Sequence, residues 1–364
     1  DAAEDLGAEW FCGQTAARCV QDADGAVKGI IAEDADGNYV KFEAAKGVIL
    51  ATGDFGGNTD MVWELCSECA ENAERHGVDR AELMGMTDCD GSGHKIGCWA
   101  GGAIESHPRP VAGDAPSISF GPWGSTPCLW MNCNGQRFMN ESFAGLVLAQ
   151  SCRQPINPEA KMVGNFAIMD SKYMSYIQAG GLDHGAPNWG FPEGIEEFQA
   201  QMAAADPAAG TVEVRGLEIA NRTSPFVNEI FVGATLEDAL KNAGLEGEAL
   251  ENAKASVERY NELCAAGKDT DFGKPANYLV PVDTPPFYGI HRHVRMSAIC
   301  SGVDVNAKHE CLTPEGEVIE NLYAIGNCSG HFYGGIDYPL TVFGLSLGRC
   351  YTEGYVIGRM VAEK

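Results

Sequence analysis

"FYGGIDYPLTVFGLSLGR", residues 332–349, carries two tyrosines, Tyr333 and Tyr338, in a stretch that also holds two adjacent glycines and a Gly-Leu-Ser turn before a helical pattern. A phenol can release a proton to a reacting atom, and a glycine lets another molecule approach the backbone because no Cβ stands in the way. Upstream, Arg292, His293 and Arg295 crowd one short apolar run, "PPFYGIHRHVRM". A second cluster is Cys66 and Cys69, a C-x-x-C, followed by Cys89, His94 and Cys98. The eight-residue gap inside "CDGSGHKIGC" matches no usual zinc or iron–sulfur spacing, so no metal is expected.

Several elements must hold these groups. "DAAEDLGAEWFCG" reads as the end of an amphipathic helix, and the segment from Ala16 to Gly47 as a three-stranded antiparallel meander with turns at Asp24-Gly25 and Asp36-Gly37. "GVILATG" is a short apolar strand running into glycines. Residues 59–103 have a helical pattern. From 104 to 290 the chain is rich in Pro, Gly, Trp and Asn, with one clear helix at 247–266 and turn-rich connections elsewhere. Short strands return in "PPFYGIHRHVRM", "GVDVN" and "NLYAIGN", and "GLSLGRCYTEGYVIGRMVAEK" closes the chain as a helix. The class is α/β, divided as 1–103, an inserted cap at 104–290, and a return segment at 291–364.

With 364 residues, 45% of them hydrophobic, the chain can bury a large core. Its formal net charge of −26 argues against nucleic acid or an anionic membrane surface as partner, since phosphates would be repelled. No apolar run approaches the roughly 20 residues needed to cross a bilayer, and residues 1–20 show no targeting segment. Location stays open between a bacterial cytoplasm and the cell envelope. Fourteen dispersed cysteines favour reduced thiols in a reducing or anaerobic setting.

Taken in order, "TAARCV", "VILATGDFGGN", "DGSGHKIGCWAGGA", "SHP", "NGQRFMNE", "PPFYGI", "GVDVN", "NLYAIGN" and "GLSLGR" resemble the flavoprotein family of fumarate reductases, succinate dehydrogenases and 3-ketosteroid dehydrogenases. The resemblance covers most of the chain. It implies a Rossmann-like FAD-binding domain, incomplete at its amino end, with an inserted capping or substrate domain (an α+β cap), and FAD as cofactor. The family begins with a strand and a G-x-G-x-x-G turn that holds the pyrophosphate. "GSGHKIG" at 91–97 has the wrong spacing and no strand before it. The expectation is a carboxyl-terminal portion whose missing unit comes from an upstream segment or a partner chain.

Matched motif to motif, the resemblance places Ala17 by the adenine and Ala51, Thr52 and Gly53 along the dinucleotide. Gly91 and Ser92 approach the flavin, and Asn327, after Gly326, takes the place of a ribose-binding acid. The helix opening near Gly344 aims its amino end at the pyrimidine edge, with Ser346 and Leu347 in contact. The substrate side departs from the family. His107 matches a substrate-binding histidine. Gly145 stands where the proton-donating arginine belongs, Gly121 and Gly124 at its relay pair, Ser297 and Ala298 at the histidines before the "GG" strand, and Asp337 at a carboxylate-binding arginine. Fumarate needs cations at both ends, so it is not the expected substrate. Aromatic walls remain: Phe332, Tyr333, Tyr338, Trp123 and Trp130, with Arg292, His293 and Arg295 nearby.

The expected function is reduction or introduction of a C=C bond next to a carbonyl in a bulky small molecule. Tyr333 or Tyr338 would donate the proton, with Arg295 or His293 as the next candidates, and the electron donor is undetermined. Two rival classes fit the lost arginines: a non-catalytic flavin-binding or electron-transfer subunit, and a ligand-binding protein.

Overall fold

The computed structural model describes residues 2–67, 70–71, 74, 79–80, 87–106, 109, 111–113, 127–143, 165–180, 196, 199–200, 202–213, 229–292, 296–299, 301–333 and 345–364. Helix α1 (Ala2–Asp5) is a single turn. It stops far short of the amphipathic helix expected there, because Gly7 enters the left-handed region at φ +90°. Strands β1 (Thr15–Gln21), β2 (Val27–Glu33) and β3 (Tyr39–Glu43) form the expected antiparallel meander. Each turn is built by an aspartate: Asp22 Oδ1 accepts from the Asp24 and Ala26 amides, and Asp34 Oδ1 from those of Asp36 and Asn38.

Strand β4 (Val48–Leu50) follows, then α2 (Thr59–Leu65), capped by the Asn58 side chain, and α3 (Ser92–Trp99). Beyond β5 (Val111–Gly113) come β6 (Leu129–Asn132), β7 (Asn165–Asp170), α4 (Tyr173–Gly180), β8 (Thr211–Glu213), β9 (Glu229–Gly233), α5 (Leu236–Asn242) and α6 (Gly247–Ala265). Strands β10 (Phe287–Arg292), β11 (Met296–Ile299), β12 (Glu310–Leu312) and β13 (Val318–Ala324) precede the last helix, α7 (Leu345–Ala362).

The middle of the chain is more ordered than its composition suggests. A five-stranded antiparallel sheet, in the order β6-β7-β10-β9-β8, runs through the segment read as one helix and turns. Only β10 is expected from the sequence as a strand, assigned there to the return segment; the other four escape notice because they are short and apolar without alternation: every residue of β6 is buried. Helix α6 covers this core with Leu250, Ala253, Val257, Tyr260 and Leu263, which recur at helical spacing. Trp130, expected as a pocket wall, is instead fully buried in this core.

A smaller core lies beneath the meander. Cys19, Val27, Leu50, Ile96, Val303, Leu322 and Cys328 pack together there. Its sheet has the order β12-β13-β4, with β13 and β4 parallel and Leu322, Tyr323 and Ala324 facing Val48, Ile49 and Leu50. Parallel pairing brings both carboxyl ends to the same edge, which decides where a ligand can reach the backbone.

Candidate active site

At that edge the backbone is bare. Leu50 is buried, but Ala51 and Thr52, the next two residues, are exposed. The β4 exit turns on Gly53 and the β13 exit on Gly326, both in the left-handed region, at φ +76° and +60°. Helix α3 descends on them with Gly93, where an added Cβ would stand 2.1 Å from Thr52 Oγ1 and 2.9 Å from Cys328 Sγ. Only glycine admits so close an approach. The amino end of α3 is capped by Gly91, with the Ser92 amide donating to Asp90 Oδ1 at 2.9 Å. Asn327 is tethered to the first turn of α7, its Oδ1 accepting from Ser346 Oγ at 3.3 Å. Exposed strand ends beside a helix amino terminus form a cradle that suits the phosphates and sugars of a dinucleotide.

The buried groups around the cradle keep it uncharged in places. His94 on α3 donates from Nε2 to the Ser301 carbonyl at 3.3 Å, packs edge-on against Phe55, and has no partner for Nδ1. Burial pushes its imidazole down to about 4, so the ring is neutral at physiological pH. Asp54 fastens the loop after β4 to β11: it accepts from the Gly56 amide, from Thr87 Oγ1 at 2.5 Å and from the Ile299 amide at 3.2 Å.

Helix α7 supplies a buried charge pair. Arg349 Nε donates to Glu353 Oε1 at 2.6 Å, and Glu353 Oε2 accepts the Gly326 amide at 2.7 Å, which ties the helix to the β13 exit. Arg349 Nη2 donates to the Ser329 carbonyl at 2.9 Å and to its Oγ at 2.5 Å. The guanidinium lies 4.4 Å from the Phe332 ring centre and 5.4 Å from that of Tyr333. Those rings meet edge to face at 4.7 Å. The preceding residue, His331, is held at φ +65° by a bond from its amide to Glu105 Oε2 at 2.6 Å, while its Nε2 meets Asp304 Oδ1 at 2.9 Å.

The structure thus brings together Ala51, Thr52, Gly53, Gly91, Ser92, Gly326, Asn327 and Ser346, with Tyr333 half-buried on the neighbouring loop. Leu347 is exposed on α7. Ala17 lines a separate pocket of about 710 Å³ with Arg18, Ile31, Tyr39 and Trp99. His107, Gly121, Trp123, Gly124, Gly145, His293, Arg295, Asp337, Tyr338 and Gly344 lie outside the described residues, as do the side chains of Arg292, Ser297 and Ala298. The sequence reading missed Arg349 and Glu353. Their signal was present: Arg349, Glu353, Ile357 and Val361 recur every fourth residue on the buried face of α7. Among the described residues no three His, Cys, Asp or Glu side chains are placed to hold a metal, and no helix is long and apolar enough to cross a membrane.

The chain belongs to a family of FAD-binding proteins: the model described as "FAD binding domain" matches residues 1–338. FAD is therefore its cofactor, and the cradle fits that dinucleotide. The chain is 27% identical over 375 residues to a vinyl phenol reductase of Lactiplantibacillus plantarum, covering 99% of this chain and 69% of the relative. It is 26% identical to a urocanate reductase of Eggerthella lenta, covering 94% of this chain and 48% of that one. The fold matches that of a 3-ketosteroid Δ4-(5α)-dehydrogenase of Rhodococcus jostii solved with 4-androstene-3,17-dione, at a TM-score of 0.62 and 21% identity over 100% of this chain and 62% of that one. The chain thus spans about half to two thirds of the length of these relatives.

Proposed function

We propose that the chain forms part of an FAD-dependent oxidoreductase that saturates a C=C bond conjugated to a carbonyl or aromatic group in a bulky small molecule. The observation that carries this reading is the cradle itself, set against a buried cation and a pair of rings. Ala51, Thr52, Gly53, Gly91, Ser92, Gly326 and Asn327 would hold FAD, with Ala17 toward the adenine. Bound there, FAD supplies a hydride to one alkene carbon. The chain must then give a proton to the other carbon, orient the alkene and keep water away. Tyr333, half-buried with its hydroxyl oxygen shielded from solvent, is suited to the first task. Phe332 offers an apolar wall, and Tyr338 is the alternative donor.

Two further points support the reading. The vinyl phenol and urocanate reductases are named for substrates with an unsaturated chain on a ring. The positions that would clamp fumarate are Gly145, Ser297, Ala298 and Asp337, none of them cationic. For the reaction, photoreduced holoprotein is mixed anaerobically with vinyl phenol, urocanate, acrylate or fumarate while flavin absorbance is followed. Rapid reoxidation by a ring-bearing substrate and slow reoxidation by fumarate is the expected order. Reoxidation by none of the four, or by fumarate fastest, refutes the proposal.

A further inference from the structure

Arg349 occupies an unusual position for a buried cation. Its side chain is fully inside and Nη1 has no hydrogen-bond partner, yet the group is locked from two sides, by Glu353 of its own helix and by Ser329. Burying a guanidinium is expensive unless it is paired. A structural tether could use the same bonds facing away from the loop. Here the cation instead lies 4.4 and 5.4 Å from the ring centres of Phe332 and Tyr333, the pair that ends the described part of that loop.

We infer that Arg349 is a positioning residue for the proton donor, holding the Tyr333 ring by a cation–π contact and stabilising the charge its oxygen acquires on releasing the proton. This rests on the reading of Tyr333 as donor given above. In that step the phenol O–H bond breaks as the substrate C–H bond forms, the electron pair stays on the phenol oxygen, and solvent later returns the proton. A positive charge about 5 Å from the ring favours the state with negative oxygen. The contact also narrows the freedom of the ring, which favours one orientation of the donor.

The charged groups around the pair set the size of the effect. Glu353 neutralises part of the guanidinium from α7, and His309, whose Nε2 is 3.7 Å from Glu353 Oε1, faces it from the loop before β12. On the ring side, His331 is adjacent in the chain, with Glu105 and Asp304 bound to it. The carboxylates oppose the effect of Arg349, so its net influence is smaller than that of an isolated charge at this distance.

The test reads the phenol directly and needs no substrate. Holoprotein labelled with 13Cζ-tyrosine is titrated by NMR, and the Tyr333 signal is identified by its loss in Tyr333→Phe. In Arg349→Met the Tyr333 signal should titrate about one pH unit higher than in the wild type, because the stabilising cation is gone. Arg349→Lys, which keeps a charge, should restore most of the shift. Glu353→Gln, which leaves Arg349 uncompensated, should move it the other way and serves if Arg349→Met does not fold. With vinyl phenol as oxidant of the reduced flavin, Arg349→Met should slow reoxidation about 10²-fold and move the alkaline limb of the rate upward. A Tyr333 signal that titrates alike in wild type and all three variants overturns the inference. Normal reoxidation in Tyr333→Phe instead removes Tyr333 as the donor, whatever the titration shows.

Discussion

Two buried arginines, each paired with a glutamate four residues on, sit in different charge surroundings. Arg137 grips Glu141 with two bonds of 2.8 and 2.9 Å, reaches Asp269 at 2.7 Å, and lies 5.0 Å from the ring centres of both Tyr260 and Phe272. Lys274 completes that cluster, bonding the Pro127 carbonyl and the Tyr260 hydroxyl and lying 3.3 Å from Glu141. Two cations face two carboxylates and the charge closes on itself. Arg349 has the same four-residue spacing to its glutamate and also lies near two rings, but it has only one carboxylate, and one of its rings is exposed. A closed cluster fixes a fold. An open one leaves part of its charge to act on a neighbour, which is what a reaction site requires.

The contrast breaks most visibly at Glu141. Glu141→Ala leaves buried Lys274 without a carboxylate and Arg137 with Asp269 alone, and should cost about 3–5 kcal/mol of stability, read as a lower urea midpoint. Glu353→Ala should cost less, about 1–3 kcal/mol, since it orphans one amide and one cation beside an open loop. If the two costs are equal, the distinction between closed and open clusters is wrong.

Acid stability sharpens the same contrast at the cradle. His94 titrates near 4 when folded against an ordinary value near 6.5, because burial penalises the charged form. The folded state then binds fewer protons than the unfolded one. The stability is complete above pH 6.5 and is lost as the pH falls from 6.5 towards 4, reaching about 3 kcal/mol. Thermal melts of His94→Gln should show a flatter acid limb across that window, and an unchanged limb would remove His94 as its source.

Gly93→Ala places a methyl 2.1 Å from Thr52 Oγ1, so the strand end and helix must part. Overpacking of this kind costs about 1–3 kcal/mol, and flavin content should fall further than the melting temperature predicts. The same substitution at Gly358 on α7, where a Cβ would meet nothing within 4 Å and the backbone is not left-handed, should leave flavin content unchanged. The smallest effect is expected at Asn327. Asn327→Asp restores the acid of the resembled family, and FAD affinity, measured by fluorescence titration, should rise by less than tenfold, about 1 kcal/mol.

Local patterns made much of this legible. Asp-Gly turns between alternating runs specified the meander, "GVILATG" and "NLYAIGN" specified strands that exit into glycines, and apolar residues three and four apart specified α6. These features depend on neighbours within a few residues, so the sequence alone determined them. It also determined, through the order of its motifs, that FAD would be the cofactor. The tertiary structure decided the rest. Strands β6 and β7 show no alternation because both faces are covered, and only pairing reveals them. Arg137 finds Asp269 across 132 residues, and Arg349 finds Ser329 across 20. Which glycine fronts a thiol or a hydroxyl, and which cation lies against a tyrosine, follow from how the packed layers meet, because contacts between distant segments leave no period in the chain.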